Sequence, residues 1–400
     1  MRKFLLGLAL ACAAFAADSR PKVRAITAFI HIDPPSYEQQ YADTIEFLDF
    51  ARAAFRDAGF EVESVRIVTQ PFPEYIRGMS PEAAVTFLQK LDALAAKLKF
   101  TPNIGAAMLQ DGDDASVLDV LAKTLATTKL NSSLVIAGED GIHWRAVRDA
   151  AKLVKSVAAQ SPNGRGNLNF AATAMVKPYG PFYPGAYHMG AGHTFAVGLE
   201  GASVVGEVFA QNHEPREAEH QLSAVLAKHM KDAEAVATVV ARKRGWTYAG
   251  IDPTPAPLGD VSIGRAIEAF TGAPFGAPGT MTAASIITRA VKSVPVKQTG
   301  YSGLMVPVLE DNLLAQRWAE GTFNVDSLLA YSAVCAGGLD TIPLRGDMTE
   351  EQLARMLGDV ASLAYKWNKP LAARLLPVPG AKPGDRTNFG DARMKDTVVR

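Results

Sequence analysis

A parallel α/β fold, built as a helix-covered sheet or barrel, is what this sequence predicts. Apolar, β-branched segments alternate with amphipathic helical segments in the order β-α-β-α from residue 22 onward. No Ser/Gly-rich or charge-rich linker divides residues 20–400, and no fixed-period repeat marks a solenoid. A 400-residue chain that is 48% hydrophobic and 20% charged can bury a large core in one unit.

The first segment, "MRKFLLGLALACAAFA", has the layout of a secretory signal. Arg2 and Lys3 start it, an apolar run follows, and Ala14-Phe15-Ala16 offers a small-x-small cleavage site. Cleavage there leaves residues 17–400 as a single domain, expected to be exported to the periplasm or secreted. The run is shorter than the roughly 20 residues of a membrane-spanning helix. Lipidation at Cys12 is the competing reading, although Ala9 stands where a large aliphatic residue is usual. Loss of the signal removes Cys12, so the mature chain keeps Cys335 and forms no internal disulfide.

"KVRAITAFIHI" follows as a strand, then an amphipathic stretch over 35–58 that ends near Gly59. "FEVESVRIVTQPFP" is a strand closed by a proline turn, and Ser80-Pro81-Glu82 caps and opens the next helix. Residues 103–141 give strand, loop, helix and strand in turn. "HWRAVRDAAKLVKSVAAQ" is helical and leads into the strand of "LNFAATAMV". A long helix over 214–244 carries Leu222, Val225, Leu226, Ala233, Val236 and Val240 on one stripe. His213, Glu217 and His220 fall on its polar face. The Glu-x-x-His spacing there resembles di-iron bundles, but with a single copy it is better explained as a solvated face. His229, on the apolar stripe, is expected to be packed.

Forty-one basic and 41 acidic residues balance, which leaves the mature chain at about −2. No basic stripe points to nucleic acid or to an anionic membrane surface. "GAGHTFAVG" misplaces its third glycine for a dinucleotide loop, and "GYSG" is one position short of a nucleophile elbow. There is no Walker loop, no H-E-x-x-H and no cysteine pair, so no nucleotide or metal cofactor is named by a motif.

Three dense regions remain. "NFAATAMVKPYGPFYPGAYHMGAGHTFAVGLE" gathers Lys177, Tyr179, Tyr183, Tyr187 and His188 on a Pro/Gly-rich loop, which suits either a site wall or a packed turn. In "GYSGLMVPVLEDNLLAQR", Glu310 and Asp311 follow an apolar strand and precede a helix. Such carboxylates face a ligand in α/β folds, though Asp311 equally suits a helix cap. In "YSAVCAGGLDTIPLRGD", Cys335 heads a glycine turn toward Asp340, as a thiolate nucleophile, a radical carrier or an inert buried cysteine.

Taken with "APFGAPGTMTAASIITRAVKS", "GLDTIPLRGD" and "KPLAARLLPVPGAKPGDRTNFG", these blocks resemble the domain of unknown function 711 family, also called uncharacterised protein family 0210. The resemblance covers essentially the whole mature chain. It implies a ten-stranded α/β barrel similar to the pyruvate formate-lyase and anaerobic ribonucleotide reductase class, with helices outside and a central hairpin presenting a cysteine. "AVCAGGLD" makes Cys335 the equivalent by that analogy. The tail "GDRTNFGDARMKDTVVR" lacks the Arg-Val-x-Gly-aromatic signature of glycyl radical enzymes, so radical chemistry is not expected.

The expected function is an enzyme acting on a small molecule, an anionic one among the options. His188, Cys335, Glu310 and Asp311 are the candidate catalytic residues; Lys177, Tyr183, Asp340 and Arg374 are the candidate ligand-binding residues. Two alternatives share that pocket: a non-catalytic envelope binding protein, and a metal-dependent enzyme using Glu310, Asp311 and Asp340 for Mg²⁺ or Ca²⁺. Substrate and oligomeric state, including a homo-oligomer, stay open.

Overall fold

A computed structural model describes residues 20–400. The signal segment and Cys12 lie outside the described residues.

The first half begins with β1 (Val23–Ile30), and α1 (Tyr37–Asp57) carries the chain back to β2 (Val65–Thr69). One turn, α2 (Phe72–Tyr75), precedes α3 (Pro81–Leu98). That helix starts as its sequence dictates: Ser80 Oγ accepts the Ala83 N–H and proline fills the first turn. Next come β3 (Thr101–Ala106), α4 (Val117–Thr127), β4 (Asn131–Gly138), the short β5 (Gly141–Ile142), α5 (Trp144–Gln160) and β6 (Phe170–Ala174).

The second half holds β7 (Thr194–Leu199), α6 (Ala202–Gln211), α7 (Pro215–Arg244) and β8 (Thr247–Asp252). It continues through α8 (Ile263–Thr271), α9 (Thr280–Ser293), α10 (Asn312–Glu320) and α11 (Val325–Ser332). β9 (Gly338–Arg345), α12 (Glu350–Trp367) and β10 (Leu371–Val378) finish it. On α7, Leu222, Leu226, Ala233 and Val240 are buried as the stripe predicts, and so is His229, while Glu217 and His220 face solvent.

The ten strands of the described residues join one sheet, in the order β8-β7-β1-β2-β3-β4-β6-β10-β9, with β5 on β4. β1, β2, β3, β4 and β6 are parallel, because each crossover carries a helix or a helical turn. The sheet as a whole is mixed: β7 runs antiparallel to β1, and β10 antiparallel to β6. The β6–β7 connection is a helix-free loop that returns to the far side of β1, so the chain direction reverses there.

The sheet is not closed; β8 and β9 are its edges. Residues 297–309 bond to both. Ile251 N–H donates to Lys297 O at 2.8 Å, Thr299 N–H to Ile251 O at 2.9 Å and Val308 N–H to Asp340 O at 3.0 Å.

Side chains alternate between two faces. Ile26, Ala28 and Ile30 of β1 pack into the large core under the helices, whereas Phe29 joins Val68, Ala186 and Ala196 on the opposite face. A further cluster there contains Phe182, Tyr187, Tyr301 and Met305. The covering layer on that face is thus made by the Pro/Gly loop and by residues near 301–305.

The hairpin assignment needs correction. Cys335 sits in the turn between α11 and β9, its N–H bonded to Tyr331 O at 2.9 Å, because the helix ends there instead of a strand. The limbs of the Pro/Gly loop are tied by the Tyr179 N–H to the Tyr187 carbonyl at 3.0 Å.

Candidate functional site

The Pro/Gly loop crosses the helix-free face of the sheet strand by strand. Pro181 O accepts from Thr27 Oγ1 on β1 at 3.2 Å and from Arg66 Nη1 on β2 at 3.1 Å. Pro184 O accepts from Asn103 Nδ2 on β3 at 2.9 Å, and the Tyr183 hydroxyl donates to Ile67 O at 2.9 Å. Gly185 leaves no room for a side chain, since a Cβ would lie 2.7 Å from the Tyr301 hydroxyl. The prolines and glycines therefore press the backbone of this loop onto the sheet.

Beside the loop tip lies a buried charge cluster drawn from distant parts of the sequence. Arg374 of β10 donates from Nε to Asp340 Oδ1 of β9 at 2.5 Å and from Nη2 to Glu310 Oε1 at 2.6 Å. Arg24 of β1 reaches Glu310 Oε2 at 3.5 Å, and its Nη1 lies 3.9 Å from Glu63. None of the Arg24, Glu310, Asp340 and Arg374 side chains is more than 13% exposed. Arg66 completes the group with its guanidinium carbon 4.9 Å from the Tyr183 ring centroid.

Two arginines in this group have spare capacity. Arg24 Nη1 is buried and makes no hydrogen bond. Arg66 bonds to Ser64 Oγ and Pro181 O but to no carboxylate, and burial lowers its pKa to about 10. The carboxylates are pushed apart. Burial and the like charge of Glu310 raise Asp340 against the pull of Arg374. Burial also opposes ionisation of Glu310, but Arg374 and Arg24 outweigh it and hold Glu310 below the usual range. Such a pair separates a proton-holding group from an ionised one.

The structure thus gathers Glu310, Asp340, Arg374 and, through Arg66, Tyr183. Four other candidates go elsewhere. Asp311 caps α10, accepting the Leu313 and Leu314 N–H groups, and also takes Ser262 Oγ and the Gly264 N–H at the start of α8. Lys177 is 78% exposed and faces Glu139 at 3.6 Å. Cys335 is 2% exposed, and burial raises its thiol pKa despite Lys369 nearby. His188 is fully buried near Tyr179, with ring centroids 5.6 Å apart and neither ring nitrogen in a well-formed hydrogen bond. Burial, then His31 and His193, lower its pKa to about 4.

The family model described as Uncharacterised ACR (DUF711) matches residues 16–391. The chain belongs to the DUF711 family. It is similar to a UPF0210 protein of Pyrobaculum aerophilum, 31% identical over 94% of this chain and 89% of the relative. A UPF0210 protein of Pyrobaculum arsenaticum is 31% identical over 85% and 79%, and one of Listeria monocytogenes is 30% identical over 83% and 78%.

These relatives correct the expectation of export. They are UPF0210 proteins of archaea and bacteria, and nothing in their descriptions assigns them to the periplasm or the exterior. The expectation rested on residues 1–16, which lie outside the described residues. Neither a periplasmic or secreted location nor a Cys12 anchor is retained. Among the described residues of this DUF711 chain, no helix is long and apolar enough to cross a membrane.

The metal reading of Glu310, Asp311 and Asp340 does not fit the geometry either. Asp311 turns to backbone N–H groups while the other two bond Arg374, and no group of three His, Cys, Asp or Glu among the described residues could hold a metal.

Arg24 and Arg66 escaped the sequence reading. The available signal was an arginine inside each of two otherwise apolar strands, "KVRAITAFIHI" and "VRIVT". Charge in that position needs a partner or a purpose.

Proposed function

We propose that this DUF711 protein is an enzyme that binds a small anionic molecule beside the tip of the Pro/Gly loop and exchanges a proton with it. The observation that carries the reading is the buried, unbonded Nη1 of Arg24 next to an Arg66 that has no carboxylate partner. Two guanidinium groups on adjacent strands form a fork for a carboxylate or phosphate. Asp340, with its proton affinity raised, is the exchanging group; Arg374 positions it, and Glu310 keeps Arg374 charged.

A second reading, binding without turnover, is favoured by one fact: both carboxylates already bond Arg374. A single experiment separates the two. Pooled anionic metabolites are incubated with wild type, Arg66→Met and Asp340→Asn, and followed by NMR for line broadening and for product. The enzyme reading expects product from wild type alone and binding retained by Asp340→Asn. Binding by wild type and Asp340→Asn with no product from any pool favours the second reading, and equal binding by Arg66→Met removes both.

We also propose a barrel similar to the pyruvate formate-lyase class, with residues 297–309 spanning the gap between β8 and β9 and the Pro/Gly loop as its central hairpin. Support comes from the hydrogen bonds of 297–309 to both edges and from the loop's contacts with β1, β2 and β3. The reading keeps the expectation that no glycyl radical is involved.

A further inference from the structure

The parallel strands β1 and β2 end at a cavity of about 530 Å³, beyond their carboxyl ends and away from Arg24 and Arg66 near their starts. Crevices at the carboxyl ends of parallel strands are where α/β sheets place ligands, and this volume falls in the roughly 300–1,000 Å³ range of small-molecule sites.

One side of its wall is the buried Gln70 side chain. The last paired rung of the two strands is Ile30 with Thr69. Beyond it the Gln70 side chain, 3% exposed, takes the place of a strand: Oε1 accepts the Ile32 N–H at 3.0 Å and Nε2 donates to Ile32 O at 2.8 Å. The Gln70 amide also lies 3.2 Å from His31 Nε2 at the rim. The ladder therefore stops, and its backbone groups are satisfied without a neighbouring strand closing the space.

Asp33, Glu74 and Arg77 line this cavity. Although charges of both signs line one cavity, among the described residues none of the three is in an ion pair, and the side-chain hydrogen bond made to them is a 3.4 Å one from Gln40 to Asp33. The remaining lining includes the apolar surface of Ile32, Pro34 and Tyr75. An ammonium suits the two carboxylates, a carboxylate suits the guanidinium fork, and an aliphatic side chain suits the apolar surface.

We propose that this cavity binds a zwitterionic α-amino acid, its ammonium held by Asp33 and Glu74 and its carboxylate by Arg77. The site is separate from the arginine cluster and does not depend on the function proposed for that cluster.

Isothermal titration calorimetry with L-leucine, L-leucinamide and N-acetyl-L-leucine tests it. Leucine is expected to bind at least about tenfold more tightly than either derivative, a difference of about 1.4 kcal/mol. Arg77→Ala should erase the preference over leucinamide, and Glu74→Gln should weaken the preference over N-acetyl-leucine. All three charged residues are exposed, so an unchanged thermal midpoint in the variants separates lost binding from lost fold. The proposal is overturned by absence of saturation with leucine, by leucinamide or N-acetyl-leucine binding as tightly, or by leucine affinities unchanged in Arg77→Ala and Glu74→Gln.

Discussion

Arg374 meets Asp340 at 2.5 Å across the β10–β9 pair, and the same guanidinium reaches Glu310 at 2.6 Å. One cation therefore holds two buried carboxylates. Removing it leaves Asp340 uncompensated and Glu310 with only the longer contact to Arg24, a loss that typically costs about 3–5 kcal/mol. Arg374→Met is expected to lower the unfolding free energy by that amount in urea titrations, with Arg374→Lys intermediate because it keeps the charge and loses the fork. A methionine variant as stable as wild type would mean that the carboxylates take up protons without penalty.

Two buried groups give opposite pH slopes in the same window. His188 has a pKa of about 4 in the fold, against about 6.5 in an unfolded chain. As pH falls, the unfolded state takes up the proton first, so stability present above 6.5 is lost on the way down to 4. Asp252 is raised by burial to about 6, so the folded state is protonated first and stability grows as pH falls from 6 toward 4. Each effect is at most roughly 3 kcal/mol, and in wild type they largely cancel. His188→Phe should therefore become more stable on acidification from pH 6 to pH 4, and Asp252→Asn less stable. Chemical denaturation at the two pH values reads both signs, and parallel slopes in the two variants would contradict the assignment.

Asp311 is a joint between α8 and α10, through Gly264 N–H and Ser262 on one side and Leu313 and Leu314 on the other. Asp311→Ala should cost roughly 2 kcal/mol or more through the lost cap and the orphaned buried donors. Anion binding beside Arg66 should persist in the folded fraction. Lost anion binding at unchanged stability would return Asp311 to the site.

Cys335 is buried, and its thiol is disfavoured from ionising. Iodoacetamide should leave the peptide containing residue 335 unmodified in the native protein and alkylate it in urea, as mass spectrometry of the digest will show. Rapid native labelling would point to a reactive thiolate instead.

The fold class was legible because periodicity is local. Ser80-Pro81 marked a helix start and the stripe through Leu222 and Leu226 marked a buried face, and both were found there. The reversal at β7 was not legible, since pairing partners depend on where a long loop delivers the chain. At the site, Glu310, Asp340 and Arg374 could be named because each ends or interrupts an apolar run. Asp311 and Glu310 are neighbours in sequence yet point to different tasks, which adjacency alone cannot reveal. Arg24 and Arg66 gave a signal that reads as an ordinary exposed strand residue until the covering loop is placed over them.

β10 is the last of the described strands in chain order, yet it lies between β6 and β9 in the interior of the sheet. During synthesis, β6 must therefore wait with an open edge until residues 371–378 leave the ribosome, and Arg374 arrives on that final strand. A chain that stops short of residue 371 lacks both the strand that joins β9 to the rest and the cation that holds Glu310 and Asp340. The charge cluster is thus completed only once β10 is in place, and a chain cut before residue 371 leaves an edge of β6 open to pairing.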